Sequence, residues 1–206
     1  MRYKITLALI IITSILWFQA PPATAFWPFS RTKTETVTEQ KPINRPTDEL
    51  NDFAKDRATA KYKIWADSFE KANLNLVIAN QEKFSFTTAE INYIFASETK
   101  KAKNPILTNF RLTSSQENLN IAGDFHKIVS GRFSFIARVI SVDKKAHLAL
   151  SAVKLYGIPI PNKWLADPLN RALDEYFSFL YRDSRYQGFS FLNKDNVLQF
   201  KPEFKK

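Results

Sequence analysis

Few residues in this chain have the types and spacing that chemistry needs. It holds two histidines, His126 and His147, and no cysteine, so thiolate nucleophiles, disulfides and thiolate-ligated metals are excluded. The two histidines fall in neighbouring predicted strands and are read as surface or strand-end residues, because no Asp/Glu/His set at ligand spacing accompanies them. Asp124, before Phe125 and His126, is a lone carboxylate. Glu90 stands three residues after Thr87 in the arrangement of a capping box, which accounts for it without acid catalysis. Asp174 and Glu175 are read as part of a solvated helix face. With four glycines in all, the chain has neither a Gly-x-Ser-x-Gly elbow nor a loop able to cradle a phosphate. It is therefore read as a non-enzyme, with no cofactor and no metal.

The remaining option is binding by apolar surface. The chain has 18 phenylalanines, which carry no polar handle and must be covered by a core, a lipid or a partner. From 152 to 181 a strand runs into a Gly157-Ile158-Pro159-Ile160-Pro161 corner and then a helix over 163–181, for which Asn162 is the expected N-cap. Leu165, Leu169, Leu173, Tyr176, Phe177 and Leu180 recur at three- and four-residue spacing and form one broad stripe, with Pro168 near the helix start. Facing strands would contribute Phe133, Phe135, Val139, Leu148 and Leu150, so that the eleven side chains line a slot for an acyl chain. Lys163 and Arg171 are the candidate contacts for an anionic headgroup.

Those residues need elements to position them. A helix is expected over 47–69, with Thr47 as cap. A strand is expected over 74–79, followed by Phe84-Ser85-Phe86 and a helix starting at Thr87-Thr88-Ala89-Glu90, with Phe86 stapled onto Ile91. From 106 to 156 the period becomes two. The alternating sets are Ile106/Thr108/Phe110/Leu112, Leu119/Ile121/Gly123/Phe125, Phe133/Phe135/Ala137/Val139 and Leu148/Leu150/Ala152. Turn signals at 114–117, Ser130-Gly131 and 143–145 divide them into a four-strand antiparallel meander. A closing hairpin around 193–196 completes an α+β pattern: a curved antiparallel sheet, meander plus C-terminal hairpin, packed around a long amphipathic helix with one or two further helices.

Ahead of this domain, taken as 47–206 with its core over 74–200, residues 1–25 read as an export signal or N-terminal membrane anchor. Arg2 and Lys4 precede an apolar run over 5–18, and Ala23-Thr24-Ala25 matches a cleavage site. Residues 26–46 read as a flexible linker. The formal charge of +10, or +8 once Arg2 and Lys4 leave with a signal, suits anionic headgroups or wall polymers better than nucleic acid. The expected location is outside the cytoplasmic membrane, as a monomer.

The short strand leading into Phe86-Thr87-Thr88-Ala89-Glu90-Ile91-Asn92-Tyr93-Ile94-Phe95, the meander, and the strand-to-helix run ending in Gly157, Pro159 and Pro161 together resemble the YpmS family of bacterial envelope proteins. More distantly the pattern resembles the tubular lipid-binding (TULIP) superfamily, in which a long helix lies in a curved sheet and holds acyl chains. The resemblance covers about 74–200, and its most specific points are Thr88, Glu90, Asn92, Gly157, Pro159 and Pro161. It implies an extracytoplasmic, lipid-related role. Two readings follow: a domain binding lipid or another hydrophobic ligand between helix and sheet, or an envelope scaffold or protein-interaction domain with a closed core. The volume between helix and sheet distinguishes them.

Overall fold

The computed structural model describes residues 50–103, 105–126 and 130–205. The expected export segment 1–25, the linker 26–46 and the Thr47 cap lie outside them. Helix α1 (Asp52–Trp65) starts instead at Asn51, whose side-chain oxygen accepts from the Ala54 N–H at 2.9 Å, and it runs on through a π-helical turn at Ala66–Glu70.

The segment expected as a strand over 74–79 is helical, α2 (Leu74–Asn80). Local polar bonds decide this: Asn73 caps the Leu76 N–H, and the Asn80 amide donates back to the Leu76 carbonyl. Its one buried residue, Val77, is as well served by a helix as by a strand. Strand β1 (Ser85–Thr87) is three residues long and leads into α3 (Thr88–Lys101). The Thr87–Glu90 capping box is present in both directions. Phe86, expected to staple onto Ile91, has its ring 6.1 Å from that of Trp65 and packs against the aromatic cluster, while Ile91 packs against the other.

The meander follows as β2 (Leu107–Ser115), β3 (Asn118–His126), β4 (Ser130–Val142) and β5 (Lys145–Leu155), with a two-residue β6 (Ile158–Pro159) at its edge. Ser130 and Gly131, expected as a turn, are paired residues of β4, opposite His126 and Phe125. Two sets of alternating residues are broken by irregularities. In β2 a register shift between Thr108 and Arg111, with Asn109 at φ 50°, lets both Leu107 and Leu112 turn inward. In β5 Ala152 has φ 51°, and the shift beside it leaves Ala152 exposed and buries Val153.

Helix α4 (Asn162–Tyr181) begins at Asn162 itself. Pro161 takes the cap position and no side chain caps the end, because the fixed proline φ already sets the direction of the chain. The closing hairpin, β7 (Tyr186–Lys194) and β8 (Val197–Phe204), does not extend the meander. It pairs with β1 as a second sheet of order β1-β8-β7 beside the five-stranded sheet β2-β3-β4-β5-β6. The fold is thus α+β, with two antiparallel sheets and helices packed on them.

Two apolar clusters fill the interior. One lies under the meander and takes Phe133, Phe135, Ala137 and Val153 from the sheet and Leu165 and Leu169 from α4. The other is aromatic and gathers Trp65, Phe69 and Phe84 around Leu173, Phe177 and Leu180.

Candidate functional site

The seam between α4 and the sheet holds the eleven apolar side chains singled out above. On the helix, Leu165, Leu169, Leu173, Phe177 and Leu180 are 9, 0, 7, 3 and 0% exposed, and Tyr176 is partly buried. On the strands Phe133 and Phe135 are buried, and Val139, Leu148 and Leu150 are partly buried. They are divided between the two clusters. Leu165 and Leu169 pack with the strand residues, while Leu173, Tyr176, Phe177 and Leu180 pack with the N-terminal aromatics. Leu148 touches both clusters and marks the joint. Phe177 stacks on Phe200 at 5.0 Å and meets Phe69 edge-on at 5.7 Å, so rings occupy the space beside it. Lys163 and Arg171 are both exposed, eight residues and about 12 Å apart along the helix.

Polar bonds hold this seam shut. Beyond the two-residue β6, the far side of β5 has no strand partner among the described residues, and α4 runs along it. The Leu148 N–H donates to Asn170 Oδ1 at 2.6 Å, and Asn170 Nδ2 donates to the Leu148 carbonyl at 3.1 Å. The Ala146 N–H donates to the Tyr181 hydroxyl at 3.1 Å. Burial pushes the Tyr181 hydroxyl up to about 12 and raises that of Tyr176 further, so both stay neutral. The opposite edge of the sheet is closed in the same way: Asn92 of α3 donates to the Leu112 carbonyl at 2.9 Å and accepts from its N–H at 2.8 Å. One asparagine thus satisfies the outward N–H and C=O of Leu112 on β2, and another those of Leu148 on β5. Nothing in the residue spacing announces these pairs, because the partner of each asparagine is backbone.

Glu90 is fully buried, and every contact it makes is structural. It accepts from the Thr87 N–H at 2.8 Å, from Lys61 at 2.9 and 3.0 Å and from Arg57 at 3.2 Å. Burial alone would raise its pKa. The Thr87 N–H and the two cations outweigh that and hold the carboxyl below its ordinary range. Asp174 is less solvated than expected: it faces His147 Nε2 at 3.5 Å and Lys145 at 3.9 Å.

The histidines are not neighbours. β4 lies between their strands, and they pair with opposite ends of it, His126 with Ser130 and His147 with Ile140. His126 Nε2 lies 2.6 Å from Thr108 Oγ1. Beside it Asp124, Gly131, Arg132, Tyr156 and Gly157 complete an open hollow of about 500 Å³, in which Asp124 accepts from Asn109 and pairs with Arg132 at 3.5 Å. No cluster of three or more metal-ligating side chains occurs among the described residues, and no described helix is long and apolar enough to cross a membrane.

Comparison with known proteins finds no matching family model, no matching curated protein and no matching solved structure. Functional inference therefore rests on the residues and their geometry.

Proposed function

We propose that this chain is a non-enzymatic domain of the cell envelope, exposed outside the cytoplasmic membrane, that works through its surface while its helix–sheet seam stays closed. The observation that carries this is the seam itself: Leu169 and Leu180 have no exposed surface, and α4 is hydrogen-bonded to the edge of β5 through Asn170 and Tyr181. A void large enough for an acyl chain would leave these leucines measurable accessible area. Separating α4 from β5 would strip partners from three backbone groups of Ala146 and Leu148, at about 1–3 kcal/mol each. A lipid tail has no donor or acceptor to replace them. Its transfer returns about 0.8 kcal/mol per methylene, so ten methylenes gain about 8 kcal/mol before ordering costs and roughly break even. Export is supported by the apolar run over 5–18 followed by Ala23-Thr24-Ala25. The test is native mass spectrometry of the full chain purified from its own envelope, with solvent extraction of the same sample. The bare polypeptide mass and no stoichiometric lipid are expected. A stoichiometric lipid, with the Ala146 and Leu148 amides losing their protection from exchange, would establish an acyl slot between helix and sheet instead.

A further inference from the structure

The corner between β5 and α4 presents apolar side chains to the outside on a rigid frame. Of the seven large apolar side chains exposed among the described residues, three lie within Tyr156–Trp164: Tyr156 at 47%, Ile158 at 65% and Trp164 at 54%. The backbone that carries them is not loose. Tyr156 and Gly157 have φ of 55° and 79°, which makes the tight mirror-type turn suited to a two-residue hairpin, and Leu155 pairs with Ile158 across it. The Tyr156 N–H donates to the Arg132 carbonyl at 2.7 Å and the Ile160 N–H to the Val153 carbonyl at 3.0 Å. The Tyr156 ring lies over Gly131, where a Cβ would collide with it, and meets Phe125 edge-on at 5.7 Å.

Charge surrounds this corner unevenly. Lys154, opposite Pro159, and Lys163, next to Trp164, are exposed, and the Arg132 side chain is 82% exposed. The acids nearby are Asp124, already engaged by Arg132 and Asn109, and Asp167, one turn beyond Lys163. The chain as a whole carries +10, or +8 without Arg2 and Lys4. An aromatic pair flanking an aliphatic residue, framed by cations, is the composition that partitions into the boundary between headgroups and acyl chains.

We propose that the Tyr156–Trp164 corner is a docking surface for an anionic phospholipid bilayer, with Ile158 and the two aromatic side chains entering the interface and Lys154, Lys163 and Arg132 facing the headgroups. This deepens the surface-acting reading above and depends on it. It places the bilayer against the outside of the domain, with no lipid in the seam.

The absence of cysteine allows a direct test. The full chain is labelled with an environment-sensitive fluorophore at Ile158→Cys or, as a control, at Leu192→Cys, an exposed apolar position on β7. Each is mixed with phosphatidylcholine vesicles with and without phosphatidylglycerol. The label at 158 is expected to move to an apolar environment, and to be quenched by acyl-chain nitroxides, with the anionic vesicles alone, while the label at 192 stays in water. The reading is local, so it does not depend on how residues 5–18 meet the vesicle. Lys154→Gln with Lys163→Gln is expected to weaken the response about 25-fold, at about fivefold per cation near an anionic surface, with unfolding unchanged. A label at 158 that stays in water, an equal response at both positions, or a response that survives loss of both lysines overturns the proposal. Lipid held in the seam would expose the Ala146 and Leu148 amides to exchange, whereas lipid held at the corner leaves them protected, so the two readings fail separately.

Discussion

Glu90 shows how one side chain ties separate parts of the chain together. It closes the first turn of α3 through Thr87 and holds Arg57 and Lys61 of α1 against that turn. Glu90→Gln keeps the shape but loses the charge that the two cations face, leaving Lys61 partly buried and poorly matched. The expected loss is about 2–4 kcal/mol at pH 7, read as a lowered urea midpoint. The pH dependence has a definite sign. A carboxyl held below its unfolded value stabilises the fold above about pH 4.5, and that contribution disappears as pH falls through the lower native value. Wild-type stability should therefore drop below pH 4.5 more steeply than that of Glu90→Gln. The Thr87–Glu90 pair was legible in the sequence because capping is local. Its cations, 29 and 33 residues away, were not.

At the scale of elements, Asn92 and Asn170 each give one residue, Leu112 of β2 and Leu148 of β5, the N–H and C=O partners that a neighbouring strand would otherwise supply. Asn92→Ala and Asn170→Ala each leave an N–H and a C=O without partners, at Leu112 and Leu148. Each substitution should cost about 2–6 kcal/mol, at about 1–3 for each group, and speed amide exchange at that leucine with little change elsewhere. The opened edge should also raise self-association, seen as a concentration-dependent sedimentation coefficient. The strands themselves were readable from alternation wherever pairing is regular, as in Leu119/Ile121/Gly123 and Phe133/Phe135/Ala137. They were misread where a bulge changes phase, at Asn109 and Ala152, since a bulge shifts the inward set without any residue-type signal. The LNLVIA run of α2 fits both periods, and only the asparagines at its two ends decide between them.

For the whole molecule, the α4 stripe was visible in the sequence, but what covers it was not. The stripe meets two different surfaces, the meander at its start and the Trp65–Phe69–Phe84 aromatics at its end, and those aromatics come from segments about a hundred residues earlier. Helical spacing shows that a face must be covered and leaves open whether protein or ligand covers it. Here the coverage by side chains and the bonds from Asn170 and Tyr181 to β5 support a closed interior. Amide hydrogen exchange at Ala146 and Leu148, whose N–H groups donate to α4, tests this most directly. With α4 fixed to the sheet, both amides should exchange only through global unfolding, with protection equal to the unfolding free energy, with or without lipid vesicles. Exchange through a local opening far below that free energy, accelerated further by lipid, would mean that the seam opens to take an acyl chain.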